Sequence, residues 1–199
     1  MTASPRPKTE TSSINQYGLS PINSATSQPR LHIISSQGQL QVYSAPYRGS
    51  FSTVLSEALR SAGLGSRVLI AQFLKGGVSQ GPKNSIRLCG KLEWLRPDIN
   101  GCINKNQINK DLQEKSLKNA HAVKEVWEIC KQQLIANQLD KVVLDEIGLA
   151  IELGFISEKD LIDTLENRNN SIDVILTGPS IPSKVFFIAD QVTQLRSSK

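Results

Sequence analysis

The chain has 199 residues, 39% hydrophobic and 21% charged, in ordinary proportions for a soluble protein, and no apolar run approaches the roughly 18 residues a membrane span needs. Its net charge of +5 and pI near 9.2 suit an anionic ligand, but the basic residues are scattered and aromatics make up only 5%, which disfavours nucleic acid as a partner. Cys89, Cys102 and Cys130 form no C-x-x-C pair and have only His32 and His121 to join them, which disfavours a structural zinc site; reduced, mostly buried thiols are expected.

Residues 1–30 carry Pro5, Pro7, Pro21 and Pro29 among many polar residues, and read as a disordered tail that cannot offset its ordering entropy. The tail is either a solubilising segment or an arm that binds a partner protein or covers the ligand site, with Ile14, Tyr17, Leu19 and Ile22 as its anchors. No apolar stretch follows Arg6 and Lys8, so there is no signal-peptide pattern and a cytoplasmic location is expected. The folded domain is placed at residues 31–199.

Leu31 to Ser35 and Leu40 to Tyr43 are β-prone runs separated by Ser36-Gln37-Gly38, so the domain opens with a strand or a small hairpin. Gln41 to Thr53 (Q-V-Y-S-A-P-Y-R-G-S-F-S-T) then leads from strand through a small-residue turn into a helix, the place where a phosphate loop sits in many nucleotide-binding proteins. In a G-x-x-x-x-G-K-[ST] loop the Lys neutralises phosphate and the hydroxyl serves Mg²⁺; here Ser50 and Phe51 stand at those two places. From Thr53, Val54, Leu55, Ala58, Leu59 and Ala62 recur at helical spacing up to Gly63 and Gly65. Arg67 to Phe73 is a continuous apolar run, the mark of a strand covered on both faces, and completes a βαβ unit.

Gly76 to Lys83 reads as a Gly-rich loop, Ile86 to Leu95 as a strand region interrupted by Gly90, and Pro97 to Ile108 as a long surface connection. Lys110 to Gln138 is a long helix with Leu117, Val123, Val126, Trp127, Cys130 and Leu134 on its apolar stripe. Lys141 to Ile147 (K-V-V-L-D-E-I) is a buried strand ending in two carboxylates, and a helix begins at Ser157 with acidic residues in its first turn. A strand at Ile172 to Thr177, a short helix near Pro182 to Ile188 and a last strand at Gln191 to Leu195 follow. The whole is an α/β three-layer sandwich with a mainly parallel sheet.

The co-linear segments Q-V-Y-S (41–44), G-L-G-S-R-V-L-I-A-Q-F-L-K-G (63–76), V-V-L-D-E-I (142–147), L-T-G-P (176–179) and A-D-Q-V-T-Q-L-R (189–196) together resemble the P-loop-type corrinoid adenosyltransferase family, over about Leu40 to Arg196. The resemblance implies a P-loop NTPase-like (RecA-like) fold, a homodimer, and transfer of the 5′-deoxyadenosyl group of ATP to a Co(I) corrinoid with help from Mg²⁺. By its terms Ser44, Arg48, Gly49, Ser50 and Ser52 line the nucleotide and corrinoid site and Asp145 and Glu146 form its Mg²⁺-side acidic pair; Gln72 and Lys75 at the carboxyl end of the second strand, and Thr177 and Gly178 after a later one, are expected at the same crevice from their position in an open α/β sheet, with Lys75 reading first as a solvated side chain. Arg48-Gly49 matches the family's K-G pair and also reads as a surface Arg in a turn. Ser50, Ser52 and Thr53 read first as helix caps and second as phosphate-binding groups. Trp127 is read as core and His121 as a helix-surface residue; Trp94 is left open between core and site.

The departures fall on the ligand side. Where the family has G-[ND]-G-K-G-K-[ST], this chain has Ala45, Pro46, Tyr47, Arg48, Gly49, Ser50 and Phe51, and Pro179 stands for the Arg of L-T-G-R. Pro46 removes a backbone donor, and losing a preorganised contact of the Lys type costs about 3 to 4 kcal/mol in a transition state. Two functions remain open on these residues: an adenosyltransferase with weakened or lost catalysis in which Arg48 or Lys75 replaces the loop Lys, and a non-catalytic binding or regulatory paralogue with a retained anion or corrinoid pocket.

Overall fold

A computed structural model describes residues 37–49, 51–77, 79–88, 90–104 and 113–196. All of them belong to the unit formed by residues 35–199. The expectations for the tail, the first β-prone run, Ser50, Cys89 and residues 105–112 lie outside the described residues.

The strands are β1 (Leu40–Ser44), β2 (Val68–Gln72), β3 (Ile86–Leu88), β4 (Leu92–Leu95), β5 (Lys141–Asp145), β6 (Asp173–Gly178) and β7 (Gln191–Gln194). The helices are α1 (Ser52–Gly63), α2 (Gln113–Ile135), α3 (Ile147–Glu152), α4 (Glu158–Glu166) and α5 (Ser183–Ile188), with a 3₁₀ turn at Pro82–Asn84. The strands form a 7-stranded sheet in the order β3-β4-β2-β5-β6-β1-β7. Neighbours pair in parallel except β3, which runs antiparallel to β4 at one edge. The sandwich and its mainly parallel sheet are therefore as expected.

Side chains alternate across this sheet with the two-residue period of a strand. Val68, Ile70, Val143 and Ile175 turn to one face and pack with Val54, Ala58 and Ala62 of α1. Leu69, Ala71, Val142, Leu144, Val174 and Leu176 turn to the other, where Val123, Val126, Trp127 and Leu134 of α2 and Leu161 and Leu165 of α4 complete a larger core. Burial on both faces is why V-L-I-A-Q and K-V-V-L-D read as near-continuous apolar runs. Trp127 is core as expected, and its indole N–H is satisfied by the Asp160 carboxylate at 2.6 Å.

Several boundaries and roles differ from expectation. β5 stops at Asp145: Glu146 takes a left-handed conformation (φ 62°), and the apolar run continues not as strand but as α3. Leu117 is 67% exposed, so the apolar stripe of α2 does not include it; periodicity alone could not show that the core reaches only the later turns. The 97–104 segment is anchored rather than superficial, because Ile99 and Ile103 are buried in the larger core. Cys102 is exposed while Cys130 is buried, and burial pushes the Cys130 thiol well above its ordinary range. The cap of α1 is Phe51, which makes no side-chain cap hydrogen bond, so Ser52 is the first helical residue and not the cap. At α4 the expectation is met, since Ser157 accepts a hydrogen bond from the Asp160 N–H.

Candidate functional site

The carboxyl ends of β2, β5 and β6 lie side by side, and strand register brings Gln72 opposite Asp145 and Asp145 opposite Thr177. All three have the parity of Ile70, Val143 and Ile175, so they form a row on the α1 face just beyond the apolar core. In a sheet end closed to water these groups must satisfy one another. Thr177 Oγ1 donates to Asp145 Oδ1 at 2.6 Å, and Gln72 Nε2 donates to Asp145 Oδ2 at 2.7 Å. Gln72 Oε1 in turn accepts from Trp94 Nε1 at 3.0 Å and Arg96 Nε at 2.9 Å. The Arg96 guanidinium also lies 5.1 Å from the centre of the Trp94 ring.

Two cations close on the acidic end of this row. Lys75 Nζ donates to Asp145 Oδ2 at 3.0 Å and stands 3.7 Å from Glu146 Oε1. Arg48 reaches across from the loop after β1 and grips Glu146 with both sides of its fork, Nε to Oε1 at 3.0 Å and Nη2 to Oε2 at 2.5 Å. Its remaining arm, Nη1, donates to the Ile103 carbonyl at 2.7 Å and to Asn104 Oδ1 at 2.6 Å. The hydrogen bond to Glu146 raises the Arg48 guanidinium still further above its ordinary value, so it stays charged throughout the accessible pH range.

Backbone contacts set this geometry. Ile103 N–H donates to the Leu74 carbonyl at 2.9 Å and Gly76 N–H to the Gly101 carbonyl at 2.8 Å, so the 101–103 segment is laid against the chain leaving β2. The approach is close enough that a Cβ on Gly76 would collide with the Ile99 carbonyl. That contact brings the Ile103 carbonyl within reach of Arg48. On the other side Glu146 N–H donates to the Thr177 carbonyl at 2.9 Å, and Gly178 (φ 112°) packs against the Glu146 backbone, where a Cβ would stand 3.1 Å from its Cα.

The structure thus brings together Arg48, Gln72, Lys75, Asp145, Glu146, Thr177 and Gly178. Ser44 is adjacent, paired in register with Gly178, and lines a separate opening of about 320 Å³ with Ala45, Pro46, Pro179, Ser180 and Arg196. Gly49 is an exposed turn residue with φ 73°. Ser52 is exposed on the first turn of α1, where its carbonyl accepts from Ser56 Oγ. Sequence reasoning missed Arg96, Ile103, Asn104 and Arg196, and left Trp94 open. Trp94 and Arg96 could have been found as polar groups at the end of β4; Ile103 and Asn104 carried no such signal. His121 is a surface residue, 3.9 Å from Glu125.

Mg²⁺ needs oxygen ligands at about 2.0 to 2.1 Å in near-octahedral array. Each of the four carboxylate oxygens of Asp145 and Glu146 instead accepts from a donor of this chain, and Glu146 is 1% exposed. The loop position that offers Mg²⁺ a hydroxyl in the family pattern holds Phe51, buried against Tyr43 with ring centres 5.7 Å apart. Residues held in this way do not fit the ion. Among the described residues no group of three or more His, Cys, Asp and Glu side chains is placed to hold a metal.

One strand, β6, separates the strand that feeds the loop from the strand that ends in Asp145, and the site crowns their carboxyl ends, which defines a P-loop NTPase-like α/β protein. Residues 36–199 match the family described as ATP:corrinoid adenosyltransferase BtuR/CobO/CobP. The chain belongs to that family. It is 26% identical to the corrinoid adenosyltransferase of Escherichia coli K12 over 163 residues, covering 82% of this chain and 79% of that one. The same identity and coverage hold for corrinoid adenosyltransferase CobA of Salmonella typhimurium. An uncharacterized protein of Nostoc sp. PCC 7120 is 26% identical over 170 residues, and the chain spans only 44% of its length. Among the described residues no helix is long and apolar enough to cross a membrane.

Proposed function

We propose that this chain is a non-catalytic member of its family, a binding or regulatory protein that takes a corrinoid or an anionic ligand beside the altered loop without transferring an adenosyl group from ATP. The observation that carries the reading is the two-pronged grip of Arg48 on buried Glu146. A cation committed to a buried carboxylate is not available to a departing triphosphate, and catalysis depends on charge preorganised for the transition state. Lys75, the other candidate for the lost loop Lys, is likewise committed, to Asp145. Pro46 lacks an N–H, which thins the backbone cradle further.

The test is direct. Purified protein is mixed with ATP, Mg²⁺ and chemically reduced Co(I) cobalamin, and the spectral change of adenosylation is followed beside the Escherichia coli enzyme as control. No turnover is expected, together with corrinoid binding seen as quenching of tryptophan fluorescence. Turnover at the rate of the control refutes the proposal.

A further inference from the structure

We propose that Arg48 and Lys75 occupy the place of a divalent cation at the Asp145–Glu146 pair, so that this site is charge-compensated from within and takes its ligand without metal. The inference concerns ion occupancy and not turnover, and it goes beyond the loss of transfer proposed above; the two can fail separately.

Charge and donor count lead to the same result. Among the described residues two carboxylates face two cations in direct contact with them, Arg48 on Glu146 and Lys75 on both Asp145 and Glu146, so these four groups balance, and Arg96 on Gln72 adds positive charge beside them. A divalent ion entering beside them would leave a net charge of +2 in a pocket where Glu146 is 1% exposed and Asp145 8%. Uncompensated buried charge is among the costliest arrangements a protein can hold. The alternative, expelling the two cations, is also opposed. Arg48 cannot leave by losing its proton, and turning it out breaks its hydrogen bonds to Ile103 and Asn104 as well as those to Glu146. Asp145 is no freer, because Thr177 and Gln72 orient it within the row while Lys75 approaches the same oxygen as Gln72.

Direction matters too. Glu146 sits in a left-handed turn whose N–H is bonded to the Thr177 carbonyl, and Gly178 packs on its Cα, so its side chain is held toward the loop and Arg48. The 1:1 match of a fork-shaped guanidinium to a carboxylate uses both oxygens at once, which is the arrangement least able to share either with an ion. Any phosphate-bearing ligand accepted here must therefore arrive without a metal bridging it to these carboxylates.

Mn²⁺ alone is the probe, followed by the loss of its free-ion paramagnetic resonance signal. Wild-type protein at millimolar Mn²⁺ is expected to leave the signal unchanged, and its melting temperature is expected to be equal in MgCl₂ and in NaCl of matched ionic strength. The variant carrying Arg48→Gln and Lys75→Gln is expected to gain one Mn²⁺ site at least about tenfold tighter than any wild-type binding, and Asp145→Asn in that background is expected to abolish it. Should that variant not fold, Lys75→Gln alone, with the loop still tied by Arg48, is expected to show a smaller gain dependent on Asp145. Two results overturn the inference: wild-type uptake of one Mn²⁺ that Asp145→Asn removes, or failure of a folded cation-depleted variant to take up any. Turnover in the adenosyl-transfer assay would refute the proposed function without touching this result.

Discussion

Replacing Arg48 with Met removes the charge and donors while keeping much of the stem, and leaves Glu146 buried with Lys75, farther off at 3.7 Å, as its remaining cation among the described residues. Breaking a fully buried ion pair from one side costs about 3 to 5 kcal/mol. Arg48 is 27% exposed and Lys75 stands 3.7 Å from Glu146 Oε1, so part of the loss is absorbed by solvent and by Lys75. We expect a loss of about 2 kcal/mol, measured by urea denaturation at neutral pH as a midpoint shift of about 1 M for a slope near 2 kcal/mol/M. Glu146→Gln in the Arg48→Met background is expected to restore more than half of this, because the buried charge is gone. Arg60→Met provides the internal control: its pair with Glu57 is exposed and on one helix, and is expected to change stability by about 0.5 kcal/mol or less. If Arg48→Met costs no more than Arg60→Met, or if the Arg48 and Glu146 substitutions add independently, the buried clasp is not what holds the loop.

Gly76→Ala forces a Cβ into the Ile99 carbonyl and is expected to cost about 1 to 3 kcal/mol, with faster amide exchange at residues 76 and 103 as the 101–103 segment lifts from the chain leaving β2. Asp160 gives a pH signature. Burial pushes its carboxyl up, but the Trp127 and Lys131 hydrogen bonds outweigh this and hold it below the ordinary 3.8. It therefore contributes stability that is complete above pH 3.8 and is lost as pH falls through the lowered folded value. Asp160→Asn is expected to flatten that acid limb of thermal stability by a few tenths of a kcal/mol, the carboxylate being partly exposed. Cys130 is expected to resist iodoacetamide in the native protein and react on unfolding, while Cys102 reacts in both states, as read by mass spectrometry of the alkylated peptides.

The layered fold was legible because its signals are local. K-V-V-L-D reads as a strand from its own composition, and Ser157 with its acidic first turn announces a helix without reference to anything distant. The row of Gln72, Asp145 and Thr177 was half legible: each was placed at a strand end, but register decides that they meet. The clasp was not legible. Arg48 and Glu146 are separated by 98 positions, and their meeting depends on the left-handed turn at Glu146 and on the Gly76 contact that brings Ile103 alongside. Residue type at Arg48 gave a cation in a turn; only the folded chain says which anion holds it. The misreading of Ile147 as strand has the same origin, since apolar sequence continues smoothly across a backbone reversal that one residue's φ creates.

Phe51 also bears on how the family's loop could be rebuilt in this chain. Its ring is 7% exposed and belongs to the cluster of Val54, Ala58, Val68 and Ile70 beneath α1. Phe51→Thr would empty part of that cluster, where truncating a buried Phe to Ala costs about 3 to 5 kcal/mol, and Ser50→Lys would add a cation two positions along the sequence from an Arg48 that is still bound to Glu146. Neither change helps until the other is present and Arg48 has let go. The single steps from this sequence toward the family pattern are thus expected to be less stable than this chain. A two-residue graft into this loop is therefore expected to yield a weaker fold before it yields a phosphate site.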